Sequence, residues 1–243
     1  MELEGRTALV TGAGRRLGRA IALSLADRGM HVVVHYGSSA AGARATVAEI
    51  ERAGGRATCL QADLTQPEAP AALVDAAVRE LGRLDVLVNS AAVMVRTPVG
   101  GVAPEDWDAM FALNLRAPFF AAQAAAPHLA RQRGAIVNLA DLAAFETWPA
   151  YVPHGISKAG VVQMTRALAR VLAPDVRVNA VAPGTVLLPD SWPDDAGRRL
   201  AETTPLRRLG SPEDVTRTIV FLVESDYITG ETVIVDGGRH IRR

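Results

Sequence analysis

Short runs rich in β-branched residues and leucine alternate along the chain with stretches of helical periodicity. Seven of these runs read as strands: Thr7–Val10, Val32–His35, Ala57–Gln61, Val86–Val88, Ala135–Leu139, Arg177–Val181 and Thr232–Val235. Val32-Val33-Val34 and Val86-Leu87-Val88 lack polar alternation, as strands buried on both faces do. Helical patterns fill the intervals at Leu17–Arg28, Ala40–Ala53, Pro67–Leu81, Pro104–Arg131, His154–Leu172 and Pro212–Glu224. Strand and helix in alternation predict a doubly wound α/β fold, a seven-stranded parallel sheet with helices on both faces. Gly54-Gly55 and Pro174 mark helix ends, and no repeat or Pro/Gly/Ser-rich linker divides residues 1–243, so a single domain is expected. The least regular stretch, residues 184–209, holds Pro189, Trp192, Pro193 and Pro205 and is expected to form a substrate lid beyond the strand ends.

The first strand runs into Thr11-Gly12-Ala13-Gly14-Arg15-Arg16-Leu17-Gly18, and a helix follows. Glycines between a buried strand and a helix let backbone approach a pyrophosphate, and the helix points its free N–H groups and positive dipole end at that anion. This context, rather than the glycines alone, predicts a Rossmann dinucleotide site. The second strand bears on which dinucleotide it takes. An NAD-selective strand ends in a carboxylate that binds the ribose hydroxyls and repels a 2′-phosphate. Here the strand ends His35-Tyr36-Gly37-Ser38-Ser39, without an acid, while Arg15 and the hydroxyls of Ser38 and Ser39 suit a phosphate through charge-assisted hydrogen bonds. NADP(H) is the expected cofactor. The same serines suit a helix cap before Ala40. Asp63, after the third strand, falls near the adenine or in an ordinary turn.

Composition narrows the partners. The chain carries 26 basic and 26 acidic side chains, a balance that gives no electrostatic footprint for nucleic acid or a membrane surface. No apolar run reaches the roughly twenty residues that span a bilayer. Cys59 is the only cysteine, which excludes an internal disulfide framework, and the first strand begins within a few residues of Met1, which leaves no space for a signal peptide. A cytoplasmic protein acting on a small molecule is expected. His31, His35, His128 and His240 show no metal-ligand spacing.

Beyond the glycine turn come Asn89-Ser90-Ala91-Ala92 after the fourth strand, Asn114, Lys158, Pro183-Gly184, and an ending with Tyr227-Ile228-Thr229-Gly230 and Asp236-Gly237-Gly238. With these motifs the chain resembles the short-chain dehydrogenase/reductase family from end to end. Arg16 where most members have glycine, the His35-Tyr36 strand end, and Asp141 where most have serine resemble its pteridine reductase subgroup. The resemblance implies NADPH-dependent reduction. It places Gly12, Arg15, Arg16, Leu17, Gly18, Tyr36, Ser38, Ser39, Asp63, Leu64, Asn89, Ala91, Lys158, Pro183, Gly184 and Thr185 around the cofactor, and Asn114, Asp141 and Lys158 in the catalytic machinery. It also implies a homotetramer, paired through the helices at Pro104–Arg131 and His154–Leu172, where Ala121, Ala122, Ala124 and Ala125 would allow close approach. Two positions depart from the family. The catalytic tyrosine four residues before the lysine is replaced by His154, and Met94 stands where pteridine reductases carry an aromatic residue that stacks on the pterin.

Hydride addition to a carbonyl or imine carbon leaves negative charge on oxygen or nitrogen, which a positioned acid neutralises in the transition state. His154 and Lys158 are four residues apart and share a helix face, so both line one groove. A nearby cation and a partly dry pocket disfavour an imidazolium, and a carboxylate at Asp141 counters both. The expected roles are His154 as proton donor, Asp141 as its orienting partner or an acid in its own right, and Lys158 as cofactor anchor. Asn114 is expected to link a water-borne proton path, or to mark a helix irregularity satisfied by backbone. Met94, Arg96, Tyr151, Leu187, Leu188 and Trp192 are candidate substrate contacts, and Tyr151 is also a second candidate for the proton donor. Three functions fit. The first is an NADPH-dependent reductase of a small carbonyl or cyclic imine compound, nearest in pattern to the pteridine reductases. The second is a 3-oxoacyl-thioester or other ketone reductase, which Met94 and Leu187-Leu188 would suit. The third is an NADP(H)-binding module without turnover.

Overall fold

A computed structural model describes residues 1–188 and 195–241 of the chain. Seven parallel strands, β1 (Thr7–Val10), β2 (His31–Tyr36), β3 (Arg56–Gln61), β4 (Val86–Asn89), β5 (Ala135–Leu139), β6 (Arg177–Pro183) and β7 (Thr232–Val235), form one sheet in the order β3-β2-β1-β4-β5-β6-β7. The helices are α1 (Arg16–Asp27), α2 (Ala40–Arg52), α3 (Ala69–Leu81), α4 (Pro104–Phe111), α5 (Ala117–Ala130), α6 (Val152–Leu172), α7 (Ala196–Thr203) and α8 (Pro212–Glu224). The fold is the expected doubly wound one.

Successive strand residues point to opposite faces, and two separate cores result. Leu9, Val33, Leu87 and Ile136 pack with Leu73, Ala121, Ala125 and Val161 of α3, α5 and α6. Ala8, Val10, Val32, Val34, Val86 and Val88 pack with Ile21 and Leu25 of α1, Ile50 of α2 and Ile219 of α8. Each fully buried valine, leucine or isoleucine side chain among them contributes about 1.5–3 kcal/mol relative to exposure. At the amino end of β4 the buried carboxylate of Asp85 accepts from Thr7 N–H on β1 and from the guanidinium groups of Arg6 and Arg83. Burial would push its carboxyl up, but the bonds from Arg83, Arg6 and Thr7 outweigh that and hold it below the usual range.

Three expectations need correction. Pro104–Arg131 is helical to Ala130 but not uniform: α4 and α5 run into each other through a wide π turn at Ala112–Arg116, centred on Asn114. The stretch after β6, read as irregular, contains α7, only eight residues long, whose one buried residue is Ala196 and whose apolar face of Ala196, Leu200 and Ala201 is too short to stand out in the sequence. Ala121, Ala122 and Ala125 lie in the chain's own core and are not open to a second copy, whereas Phe119 and Phe120 of α5 are exposed.

Candidate active site

The strand order reverses at β1, which has β2 on one side and β4 on the other, so a crevice opens between the carboxyl ends of β1 and β4. Thr11 fixes its width: its hydroxyl accepts from the N–H groups of Ser90 and Ala91 at 2.9 and 3.0 Å. Gly12 sits at φ +68°, and a Cβ there would lie 2.8 Å from the Cα of Ala91. A Cβ on Gly18 would lie 2.2 Å from the carbonyl oxygen of Gly12. Both positions therefore require glycine. Arg16 adopts φ +50°, a left-handed conformation for a residue with a side chain, and its guanidinium crosses to the carbonyl oxygens of Leu187 and Leu188.

A cleft of about 710 Å³ runs from this turn along the strand ends. Gly12, Arg15, Arg16, Leu17, Gly18, Tyr36, Ser38, Ser39, Asp63, Leu64, Ala91, Pro183 and Gly184 line one stretch of it, and Met94, Asp141, His154, Lys158 and Leu187 line the other. The hydroxyl of Ser39 makes no capping bond to α2, so the helix-cap role expected for it is not the one it fills. Asp63 is exposed and accepts from the N–H and hydroxyl of Thr65, an ordinary turn aspartate at the cleft edge, with its carboxyl held low by that hydroxyl bond.

Other candidates do not line the cleft. Asn89 is buried and donates to Asn138, bracing β4 against β5, because its side chain points into the sheet layer rather than past its end. Thr185 accepts from Arg239. Arg96 is exposed, and Leu188 meets the cleft only through the bond from Arg16. Tyr151 stands at the start of α6 with its ring edge-on to Trp148, 6.3 Å between centroids, and is not among the residues that line the cleft. Trp192 lies outside the described residues.

In the second stretch of the cleft, α6 and the loop after β5 place three titratable groups together. Lys158 is buried and donates to the carbonyl of Leu139 at 2.7 Å. Burial lowers its pKa to about 8 against the opposing pull of Asp141. Asp141 caps the short turn Leu142–Ala144 by accepting from Ala143 N–H at 2.8 Å through Oδ1, which leaves Oδ2 facing His154 Nε2 at 3.7 Å. His154 is 2% exposed, and its Nδ1 lies 3.2 Å from the carbonyl oxygen of Val93. A carbonyl only accepts, so Nδ1 carries a proton. Nε2 is then either bare or, in the imidazolium, a second N–H aimed at Asp141. It is buried without a hydrogen-bond partner among the described residues.

Asn114 fills the second of its expected roles, a helix irregularity satisfied by backbone. Its Oδ1 accepts from Val93 N–H at 2.9 Å, and its amide group donates to the Val93 carbonyl and the hydroxyl of Ser157, with Nδ2 also 3.5 Å from Nδ1 of His154. It thereby holds the Val93 backbone against His154. The π turn is what aims it there. Sequence reasoning also missed His35, whose ring bonds Gly12 N–H. Only its place at the end of β2 could have pointed to it.

Comparison with known proteins agrees with the fold. The family described as enoyl-(acyl carrier protein) reductase matches residues 12–240. The 3β-hydroxysteroid dehydrogenase 1 of Eggerthella lenta is 37% identical over 246 residues, covering 98% of this chain and 94% of that protein. The 3-oxoacyl-[acyl-carrier-protein] reductase FabG of Staphylococcus aureus is 36% identical over 242 residues, covering 97% and 98%. Among solved structures, FolM alternative dihydrofolate reductase 1 from Brucella canis, complexed with NADP, superposes with a TM-score of 0.94 at 32% identity, covering 100% of this chain and 96% of that one. The chain belongs to the short-chain dehydrogenase/reductase family.

Proposed function

We propose that the protein is an NADP(H)-dependent reductase of a small carbonyl or cyclic imine compound, in which His154 serves as the proton donor. The observation that carries this reading is the buried, unpartnered Nε2 of His154 in the same cleft as Lys158 and the glycine turn. The residues present suit the dinucleotide. At Gly12 the turn backbone packs directly against Ala91 with no room for a side chain, which keeps the turn flat along the cleft, and Arg15, Ser38 and Ser39 surround a strand end that carries no acid. The relatives named above are described as a hydroxysteroid dehydrogenase, a 3-oxoacyl reductase and a dihydrofolate reductase, the last complexed with NADP, which supports the same cofactor here.

When bound, NADPH would supply a hydride to the carbonyl or imine carbon. The Nε2–H of the His154 imidazolium would give a proton to the oxygen or nitrogen that takes up the electron pair of the C=O or C=N bond. The Val93 carbonyl holds the ring through Nδ1–H, and Asp141 stabilises the charged ring before transfer. Lys158, anchored on Leu139 and positively charged below about pH 8, is placed to hold the ribose next to the nicotinamide.

Cyclic imines of the pterin type are favoured by Asp141, which can meet a ring N–H, and by the FolM likeness. Ketones are favoured by the apolar mouth of Val93, Met94 and Val95, each more than a third exposed. We also read the exposed apolar face of α5 and α6, with Phe119, Phe120 and Val171 around a hollow of about 1040 Å³, as the contact of a homotetramer. NADPH oxidation against pterins, quinones and 3-ketoesters tests the proposal. Oxidation with one class assigns the substrate, and His154→Ala lowers that rate by about 10²–10⁴-fold. Tight NADPH binding without oxidation by any member would refute the reductase reading in favour of a binding module.

A further inference from the structure

His35, near the end of β2, is 2% exposed and bonds through both ring nitrogens. Nδ1 lies 3.1 Å from the amide nitrogen of Gly12, and Nε2 lies 3.0 Å from the carbonyl oxygen of Ala62. The partners settle the tautomer. A backbone N–H only donates, so Nδ1 is bare, and a carbonyl only accepts, so Nε2 carries the proton. The backbone carbonyl of His35 also accepts from Ala13 N–H at 2.8 Å. One residue thereby holds two successive amides of the glycine turn and ties that turn to the end of β3.

We infer that His35 is a positioning residue for the dinucleotide phosphate turn, whose neutral ring presets the Gly12-Ala13 backbone and whose protonation loosens the grip on the cofactor. The inference rests on the reading of the cleft as an NADP(H) site. Protonation at Nδ1 would set two donors against each other across the Gly12 contact and leave that amide without its acceptor. Burial, partly offset by the bond to Ala62, holds the ring's pKa below the ordinary histidine value, so the loosening falls on the acid side of neutrality. The charged and titratable groups around it are Arg15 and Arg16 on the turn, Tyr36 beside it on β2 and Asp63 beyond β3. From α1 and α2 come Arg19 and Glu49, which pair with each other. Both nitrogens of the ring are taken by backbone, so no carboxylate among the described residues steadies an imidazolium there.

The test uses two variants with different reach. In His35→Asn the side-chain oxygen can take the place of Nδ1, and in His35→Gln the amide nitrogen can take the place of Nε2. NADP+ dissociation constants are measured by calorimetry from about pH 5.5 to about pH 8, alongside amide exchange at Gly12 in the cofactor-free protein. The native protein should lose about tenfold in affinity toward acid, and His35→Asn should keep the affinity at high pH within about threefold while losing most of the acid decline. His35→Gln should bind about tenfold more weakly at high pH, with faster exchange at Gly12. Titration of the coenzyme's own phosphate is common to all three proteins and cancels in the comparison. A His35→Gln protein equal to the native one in both readouts, or a His35→Asn protein with the native acid decline, overturns the inference. Should none of the proteins bind NADP+, the cofactor reading fails and Gly12 exchange alone decides: acceleration in His35→Gln supports the positioning role, and unchanged exchange refutes it.

Discussion

The Nε2 atom of His154 and the Oδ2 atom of Asp141 face each other at 3.7 Å, with no other hydrogen-bond partner on that nitrogen among the described residues. The gap is slightly long for a hydrogen bond and short enough for strong attraction once the ring is charged. The other carboxylate oxygen is tied to Ala143 N–H, so the pair has a fixed orientation.

If Asp141 acts through His154, the two substitutions are not additive. Asp141→Asn should slow single-turnover NADPH oxidation by about 10–100-fold, the usual range for losing a bond to a charged group. The same change made in a His154→Phe background should alter the residual rate by less than about twofold. Additive losses would show that Asp141 is an acid in its own right.

Lys158 should make stability depend on pH in the alkaline range. Its pKa falls from 10.5 in the unfolded chain to about 8 in the fold because burial disfavours its charge. Between those values the unfolded chain holds a proton that the native protein has released, so stability rises with pH across the window. The cofactor-free protein should gain up to about 3 kcal/mol from this group, and Lys158→Met should remove that dependence. Urea unfolding at a series of pH values reads both effects. The same variant should bind NADP(H) more weakly, and a native profile that stays flat above pH 8 would contradict the burial argument.

Arg16→Gly should separate the turn from the loop after β6. The left-handed backbone of Arg16 costs about 1–2 kcal/mol that glycine avoids, so thermal stability should hold or rise. The bonds to Leu187 and Leu188 are lost at the same time, and amide exchange over residues 184–188 should accelerate about tenfold. Unchanged exchange in mass spectrometry would mean that those carbonyls are held by something else.

Strand positions were readable because parallel strands buried on both faces leave uninterrupted apolar runs such as Val32-Val33-Val34, found at the centre of β2. The glycine turn was readable for a related reason: steric demand at Gly12 and Gly18 leaves one residue type. The segment at Ala196–Thr203 was not readable as a helix, since at eight residues it is too short for its apolar face of Ala196, Leu200 and Ala201 to show as a period. The irregularity at Asn114 could be anticipated from a polar residue between Leu113 and Leu115, but its partner, the backbone of Val93, could not. The bond between His35 and Gly12 was equally hidden, because it joins two segments that meet only through the sheet.

His154 and Lys158 ride on one uninterrupted 21-residue helix seated against the sheet, whereas the mouth of the cleft is built by the loops after β4, β5 and β6. The spacing of the reacting groups is thus insulated from changes in those loops. A change of rim residues, such as those from Val93 to Val95, leaves His154 and Lys158 in register with each other.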